Sequence, residues 1–243
     1  MARERKPRKK AQDGVAVDWS LIETVLTIDG VRVVYLYGPP GIGKTYSAFT
    51  MGRVNDEVYA ITLTEDTPAA ELRGHFVPEG GRLVWHDGPF TKAMREGARL
   101  VVNELTHANP EVHSLLHPVL ESTETARLTL PNNETVVPAE GFQVIATDNR
   151  PPEELPPALA DRFDCILEVD QPHPEALARL SPNLREAAQR SFALETERRV
   201  GLRAWYAVDR LQGQLGLETA CRAVFGPQRG AQIFDALSMQ DRE

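Results

Sequence analysis

The sequence predicts an α/β fold, a doubly wound parallel sheet of five strands followed by a small all-α unit, and three observations carry that prediction. Five short apolar runs, rich in β-branched and aromatic residues, alternate with helix-patterned segments between residues 31 and 169. The first of them, VRVVYLY, stops at a glycine- and proline-rich turn that opens a helix. Beyond Asp170 the strand signal ends and only helical patterns remain. Strands joined through helices pair in parallel by crossover, so helices should cover both faces of the sheet.

Taken in order, residues 1–14 read as a basic, disordered tail, and the stretch ending in VDWSLIETVLTIDG as a lead-in to the first strand at 31–37. The other strands are EVYAITL at 57–63, RLVVNE at 99–104, GFQVIAT at 141–147 and DCILEV at 164–169. Thr67-Pro68 and Asn109-Pro110 each set a capping side chain before a proline at the first helical position, where a missing N–H costs nothing. EVHSLLHPVLES then forms one amphipathic helix. Alternating residues around turn signals predict hairpins at 78–88 and 126–138. Segments 174–193, 194–212, 217–225 and 227–237 are helical. The domain organisation is therefore a nucleotide-binding unit over 15–170 and a helical lid over 171–243.

A chain of 243 residues with 42% hydrophobic content can bury one sizeable core and a small second module. It holds no apolar run long enough to span a membrane, and its basic start is not followed by the apolar segment of a secretory signal, so a cytoplasmic location is expected. Cys165 and Cys221 are far apart and outside any C-x-x-C spacing, which argues against a disulfide framework or structural zinc. Arg3, Arg5, Lys6, Arg8, Lys9 and Lys10 take six of the 27 basic residues while Glu4 is one of 35 acids, leaving 21 against 34, or −13, on the rest. Such an arm offers nucleic acid only sequence-independent attraction, and the acidic body argues against a large footprint.

The chemistry begins at GPPGIGKT, which fits G-x-x-x-x-G-K-[ST] directly after a strand and at the start of a helix. Here the backbone N–H groups of Gly38, Pro39, Pro40, Gly41, Ile42, Gly43, Lys44, Thr45 and Tyr46, prolines excepted, can turn toward phosphate oxygens. Lys44 reaches the outer phosphates, and Thr45 offers its hydroxyl to Mg²⁺. ATP is the expected nucleotide, because no guanine-reading N-K-x-D run follows. At the end of the third strand, Glu104 is placed to orient the attacking water, a positioning task that phosphoryl transfer requires. Asn103 faces Mg²⁺ or its waters with an amide oxygen that carries no charge, so metal affinity should be lowered rather than lost.

Together with GPPGIGKT, the runs LVVNELTHANPEVHSLLHPVLES, FQVIATDN and LPPALADRFD make the chain resemble the AAA+ superfamily, over about residues 30 to 237. Within it, the resemblance is to the MoxR and dynein-related branch that includes midasin-like and cobaltochelatase-subunit-like ATPases. It implies an αβα phosphate-loop domain with a helical lid, ATP hydrolysis with Mg²⁺, and a homo-oligomeric ring, a hexamer. It further implies that Asn149 senses the γ-phosphate, that Arg162 reaches the neighbouring subunit's site, and that a lid arginine contacts nucleotide in cis. Arg203 in VGLRAWYAVDRL fits that last pattern best, with Arg185 as the alternative. A cation borrowed from the next protomer makes turnover depend on head-to-tail assembly. The implied client is a partner protein to be remodelled or activated, such as one with a von Willebrand factor A domain. The departure from the family pattern is Asn103, where Asp is expected, and it raises a second reading, an ATP-binding switch or scaffold with little hydrolysis. A third reading, a nucleic-acid-associated motor, would use the basic arm.

Overall fold

The computed structural model describes residues 17–52, 57–194 and 199–240. The basic tail expected over residues 1–14 lies outside them. Asp18 accepts the Leu21 N–H at 2.8 Å and so caps helix α1 (Trp19–Thr27), where the sequence reading had only a lead-in. Its Trp19, Ile22 and Leu26 are buried against the sheet.

Strand β1 (Val33–Tyr37), helix α2 (Lys44–Thr50), strand β2 (Val58–Thr62) and helix α3 (Ala69–Arg73) follow. A hairpin of β3 (Gly74–Glu79) and β4 (Arg82–Asp87), helix α4 (Pro89–Glu96) and strand β5 (Arg99–Asn103) come next. Helix α5 (Pro110–Val119) leads to the short hairpin β6 (Leu128–Thr129) and β7 (Thr135–Val136). Strand β8 (Gln143–Asp148), helix α6 (Pro157–Ala160) and strand β9 (Cys165–Glu168) complete the sheet. Helices α7 (Pro174–Ala178), α8 (Pro182–Phe192), α9 (Leu202–Leu215), α10 (Leu217–Phe225) and α11 (Pro227–Gln240) form the helical remainder.

The main sheet runs β2-β5-β8-β1-β9 with every pair parallel. Alternation sends Val34, Leu36, Val101, Ile145 and Leu167 to one face, against α1 and the helices beyond Gln171, and Val33, Tyr35, Leu100, Val102 and Val144 to the other. Both faces are covered, which is why the strands read as continuous apolar runs rather than alternating ones. Pairing also aligns the carboxyl ends: Thr62 lies beside Asn103, Asn103 beside Thr147, and Tyr37 beside Asp148. Crevices outside that edge are where open parallel sheets bind ligands.

Several expectations shift in detail. The hairpin expected at 78–88 starts at Gly74 and turns at Gly80-Gly81. Thr67 does not cap α3; its hydroxyl accepts the Thr64 N–H at 2.9 Å, and Pro68 is the residue before the helix. Asn109 does cap α5, accepting the Val112 N–H at 3.0 Å, but that helix stops at Val119 rather than running through Ser122. The helix expected at 174–193 is two, because Ser181 precedes a proline and is driven to extended backbone at ψ 149°. The helix expected from residue 194 begins only at Leu202, and residues 195–198 lie outside the described ones. Both cysteines are free thiols. No helix of the described residues is long and apolar enough to cross a membrane.

Candidate functional site

Where β1 ends, the backbone of Gly38 passes so close to the strand-following Val169 that a Cβ would lie 1.8 Å from its carbonyl oxygen, at φ +146°. Only glycine fits there. The loop then curls to α2 with Ile42 pointing fully into the core as its anchor. Gly41 meets the start of α9: its carbonyl accepts the Leu202 N–H at 2.8 Å, and an added Cβ would be 2.8 Å from Gly201 Cα. The Ile42 carbonyl accepts the His173 N–H at 2.9 Å. Two segments distant in sequence thus grip the backbone of the loop.

Lys44 is buried and folded back onto its own loop. Its Nζ donates to the carbonyls of Gly38 at 2.9 Å and Pro39 at 2.8 Å, and to Asn149 Oδ1 at 3.0 Å. Burial pulls its pKa down to about 8, with Glu104 and Asp148 pulling the other way. Asn149 continues the chain of bonds, its Nδ2 donating to the two Glu104 carboxylate oxygens at 3.3 and 3.5 Å. Glu104 stands in the left-handed region at φ 57°, ψ 47°, a conformation that costs a non-glycine residue about 1–3 kcal/mol and is held by its surroundings. The Glu104 N–H donates to the Thr147 carbonyl at 2.8 Å, and the Glu104 carbonyl accepts the His107 N–H at 3.0 Å.

Asn103 offers its amide oxygen to two hydroxyls, Thr147 at 2.8 Å and Thr45 at 3.1 Å. Its Nδ2 makes long contacts to the Ile61 carbonyl at 3.5 Å and the Thr62 hydroxyl at 3.4 Å. The carbonyl gives a local reason for an amide rather than a carboxylate, which would meet that oxygen with its own negative charge. Thr45, Asn103 and Thr147 form an uncharged, all-oxygen set, which suits a hard cation that keeps most of its waters. Mg²⁺ therefore fits, held weakly.

The remaining expected residues divide. Tyr46 is exposed on α2 and turned to the segment around α7, where its Oη accepts from Arg179 at 2.8 Å, the guanidinium lies over its ring at 5.2 Å, and His173 meets it edge-on. Arg203 is exposed on the first turn of α9, the helix whose start touches Gly41. Arg185 is occupied elsewhere: it donates to the carbonyls of Leu177, Ala178 and Leu180 and so caps α7, which disfavours it as the nucleotide-contacting lid arginine.

Arg162 is not brought into this site at all. It lies beyond the amino end of β9, near where Asp164 meets Val33 and at the opposite end of the strands from the phosphate loop. Its Nε and Nη2 bond one Glu121 oxygen at 3.0 and 2.6 Å, and Nη1 bonds the Ala158 carbonyl. It lines a cleft of about 410 Å³ with Arg32, Glu121, Asp161 and Asp164. The carboxylate it finds is Glu121, 41 positions away.

Sequence reasoning did not single out His173, Arg179, Thr147 or Asp148. His173 lies just beyond Asp170, where the sequence shows only the end of the strand signal, and FQVIATDN points to Asn149 alone. Fold-level contact, which brings the segment after β9 back onto the loop, has no local signature.

Residues 33–163 match the family described as AAA domain (dynein-related subfamily). Curated relatives include Protein NorQ of Paracoccus denitrificans, 33% identical over 177 residues, covering 70% of this chain and 61% of NorQ. Denitrification regulatory protein NirQ of Pseudomonas aeruginosa is 28% identical over 152 residues, covering 60% and 58%. Protein CbbQ of Hydrogenophilus thermoluteolus is 28% identical over 148 residues, covering 58% and 54%. The chain thus spans less than two thirds of the length of each of these relatives.

Proposed function

The chain belongs to the dynein-related subfamily of AAA domains, and from that premise we propose that it is a MoxR-like ATPase that binds ATP with Mg²⁺, hydrolyses it within a head-to-tail ring, a hexamer, and uses the cycle to remodel or activate a partner protein. The observation that carries the reading is the chain of bonds from Lys44 through Asn149 to Glu104. The cation proposed to bind phosphate, the amide proposed to contact it and the carboxylate proposed to orient water are joined by these hydrogen bonds.

In this mechanism the N–H groups between Gly41 and Thr45 bind the β- and γ-phosphates, and Lys44 leaves the Gly38 and Pro39 carbonyls to meet them. Thr45 and Asn103 would hold Mg²⁺, which supplies positive charge beside the phosphates when bound. Glu104 orients the attacking water and takes its proton, and Asn149 passes from Lys44 to the γ-phosphate. Arg203, beside the loop at the start of α9, contacts the nucleotide in cis from the lid over 171–243. Arg162, facing away from its own chain's loop, acts on the site of the next subunit. That a relative is named a regulatory protein supports a partner protein as the target of the cycle; a von Willebrand factor A-domain protein is one such partner.

The test is steady-state ATP hydrolysis across a series of protein concentrations, for wild type, Glu104→Gln and Arg162→Ala. Turnover that rises more than proportionally with concentration and is lost in both variants, with ATP binding kept, is expected. Proportional turnover, equal in Arg162→Ala, would remove the ring from the mechanism. The absence of a carboxylate at Asn103 favours one alternative, an ATP-dependent assembly switch; assembly on ATP with no turnover in wild type would select it.

A further inference from the structure

One buried side chain beside the site has no part in the reading above. Asp148, the last residue of β8, is 1% exposed, yet no cation is bonded to its carboxylate among the described contacts. Its oxygens instead accept three backbone N–H groups. Oδ1 takes those of Asn149 at 2.7 Å and Arg150 at 3.0 Å, and Oδ2 takes that of Thr106 at 2.7 Å. A carboxylate is the acceptor that can serve three donors at once, and charged acceptors make the stronger bonds.

The three donors belong to two segments. Thr106 sits in the tight turn directly after Glu104, and Asn149 and Arg150 open the loop after β8. Each segment carries one of the groups proposed to act on the phosphate or the water. The strand pairing does not link them at this level, because β5 ends at Asn103 and its register with β8 ends at Thr147. Past that point the crossing ties are the Glu104 N–H to the Thr147 carbonyl, the long Asn149 to Glu104 contact, and Asp148.

We propose that Asp148 is a positioning residue that locks the Glu104 turn to the Asn149 loop, so that the water-orienting carboxylate and the phosphate-contacting amide move as one unit when nucleotide binds. The inference rests on the ATPase reading for its kinetic consequence, but its structural content does not depend on turnover. Without the lock, the strained Glu104 backbone has one fewer restraint, and a misplacement of about 1 Å in such a group costs about 100-fold in rate. Asp148→Asn keeps the shape while replacing one oxygen by a donor that would face an N–H.

Two measurements test it. In hydrogen exchange of the wild-type chain, segments 104–107 and 148–150 should gain protection together on titration with a non-hydrolysable ATP analogue. In Asp148→Asn, segment 104–107 should no longer respond, while the phosphate loop still does. In steady-state kinetics, Asp148→Asn should lower kcat about tenfold or more with ATP affinity held within about threefold, and adding Asn149→Ala should lower it little further. Independent protection of the two segments in wild type overturns the proposal, as does an unchanged response or unchanged kcat in the variant. Multiplicative losses in the double variant overturn it as well. A wild-type chain that binds analogue with coupled protection but never turns over would instead sink the ATPase reading and leave the lock standing.

Discussion

At the amino ends of the strands, Arg99, Gln143, Arg32 and Asp164 aim most of their polar atoms at backbone; at the carboxyl ends, side-chain bonds link Lys44 to Asn149, Asn149 to Glu104 and Thr45 to Asn103, beside the loop carbonyls that Lys44 also meets. Arg99 is buried and donates to the Ala48 and Met51 carbonyls, at the end of α2, and to Gln143 Oε1. Gln143 donates on to the Leu26 and Val31 carbonyls, and Asp164 accepts the Arg32 and Val33 N–H groups. The backbone partners at the amino ends belong to packed helices and strands, whereas in the proposed cycle the partners at the carboxyl ends, the Gly38 and Pro39 carbonyls included, are exchanged for a phosphate or a cation. One end of the sheet is built to hold, and the other to be re-bonded.

The sharpest way to break that contrast is to remove one cation from each end. Lys44→Ala should weaken ATP binding by about two orders of magnitude or more, the cost of deleting a buried charge partner, with little loss of stability. Arg99→Met should do the reverse, losing about 3 kcal/mol by leaving buried carbonyls unpaired, while each folded molecule binds ATP normally. Isothermal titration and urea unfolding on both variants read the two quantities separately. A stability loss in Lys44→Ala as large as that in Arg99→Met would erase the distinction.

A smaller effect sharpens it at the re-bonded end. Asn103→Asp adds a charge where Thr45 and Thr147 now donate, and should lower the Mg²⁺ concentration for half-maximal turnover about tenfold. The Ile61 carbonyl beside Nδ2 should make that variant slightly less stable without Mg²⁺. An unchanged Mg²⁺ requirement would remove Asn103 from the metal's surroundings.

The smallest is a pH effect. In the proposed cycle Lys44 meets phosphate as its ammonium, and burial lowers its pKa to about 8, against 10.5 for a free lysine. ATP affinity should therefore fall about fivefold from pH 8 to pH 9, and not in Lys44→Arg. Linkage gives the stability sign: between about 8 and 10.5 the unfolded chain holds a proton the fold has lost, so this residue's burial penalty is relieved as pH rises. A flat affinity over that range would place the charge on Lys44 beyond the reach of burial.

The holding end was hardly legible in the sequence, and the re-bonded end largely was. GPPGIGKT, Asn103-Glu104 and Asn149 sit in runs whose residue types serve phosphate chemistry at fixed local spacing, and the structure brings them within bonding distance. Arg99 reads as the polar start of a strand, and nothing near it in sequence announces that the end of α2, about 50 positions earlier, needs a donor. The same holds for Arg162, whose partner Glu121 comes from another helix's end. Strands survived the reading because burial on both faces writes itself as composition. The break at Ser181-Pro182 was written locally too, and was missed because the amphipathic pattern runs across it.

The contact between Gly41 and Gly201 has a mechanical side. Two glycine backbones meet with no side chain between them, one hydrogen bond pins Leu202 to the loop, and a Cβ would fall 2.8 Å from Gly201 Cα if added to Gly41 and 3.2 Å from Gly41 Cα if added to Gly201. A close-packed contact of backbone against backbone has little room to give. A shift of the loop at Gly41 would therefore reach the first turn of α9, a helix of 14 residues, through backbone alone.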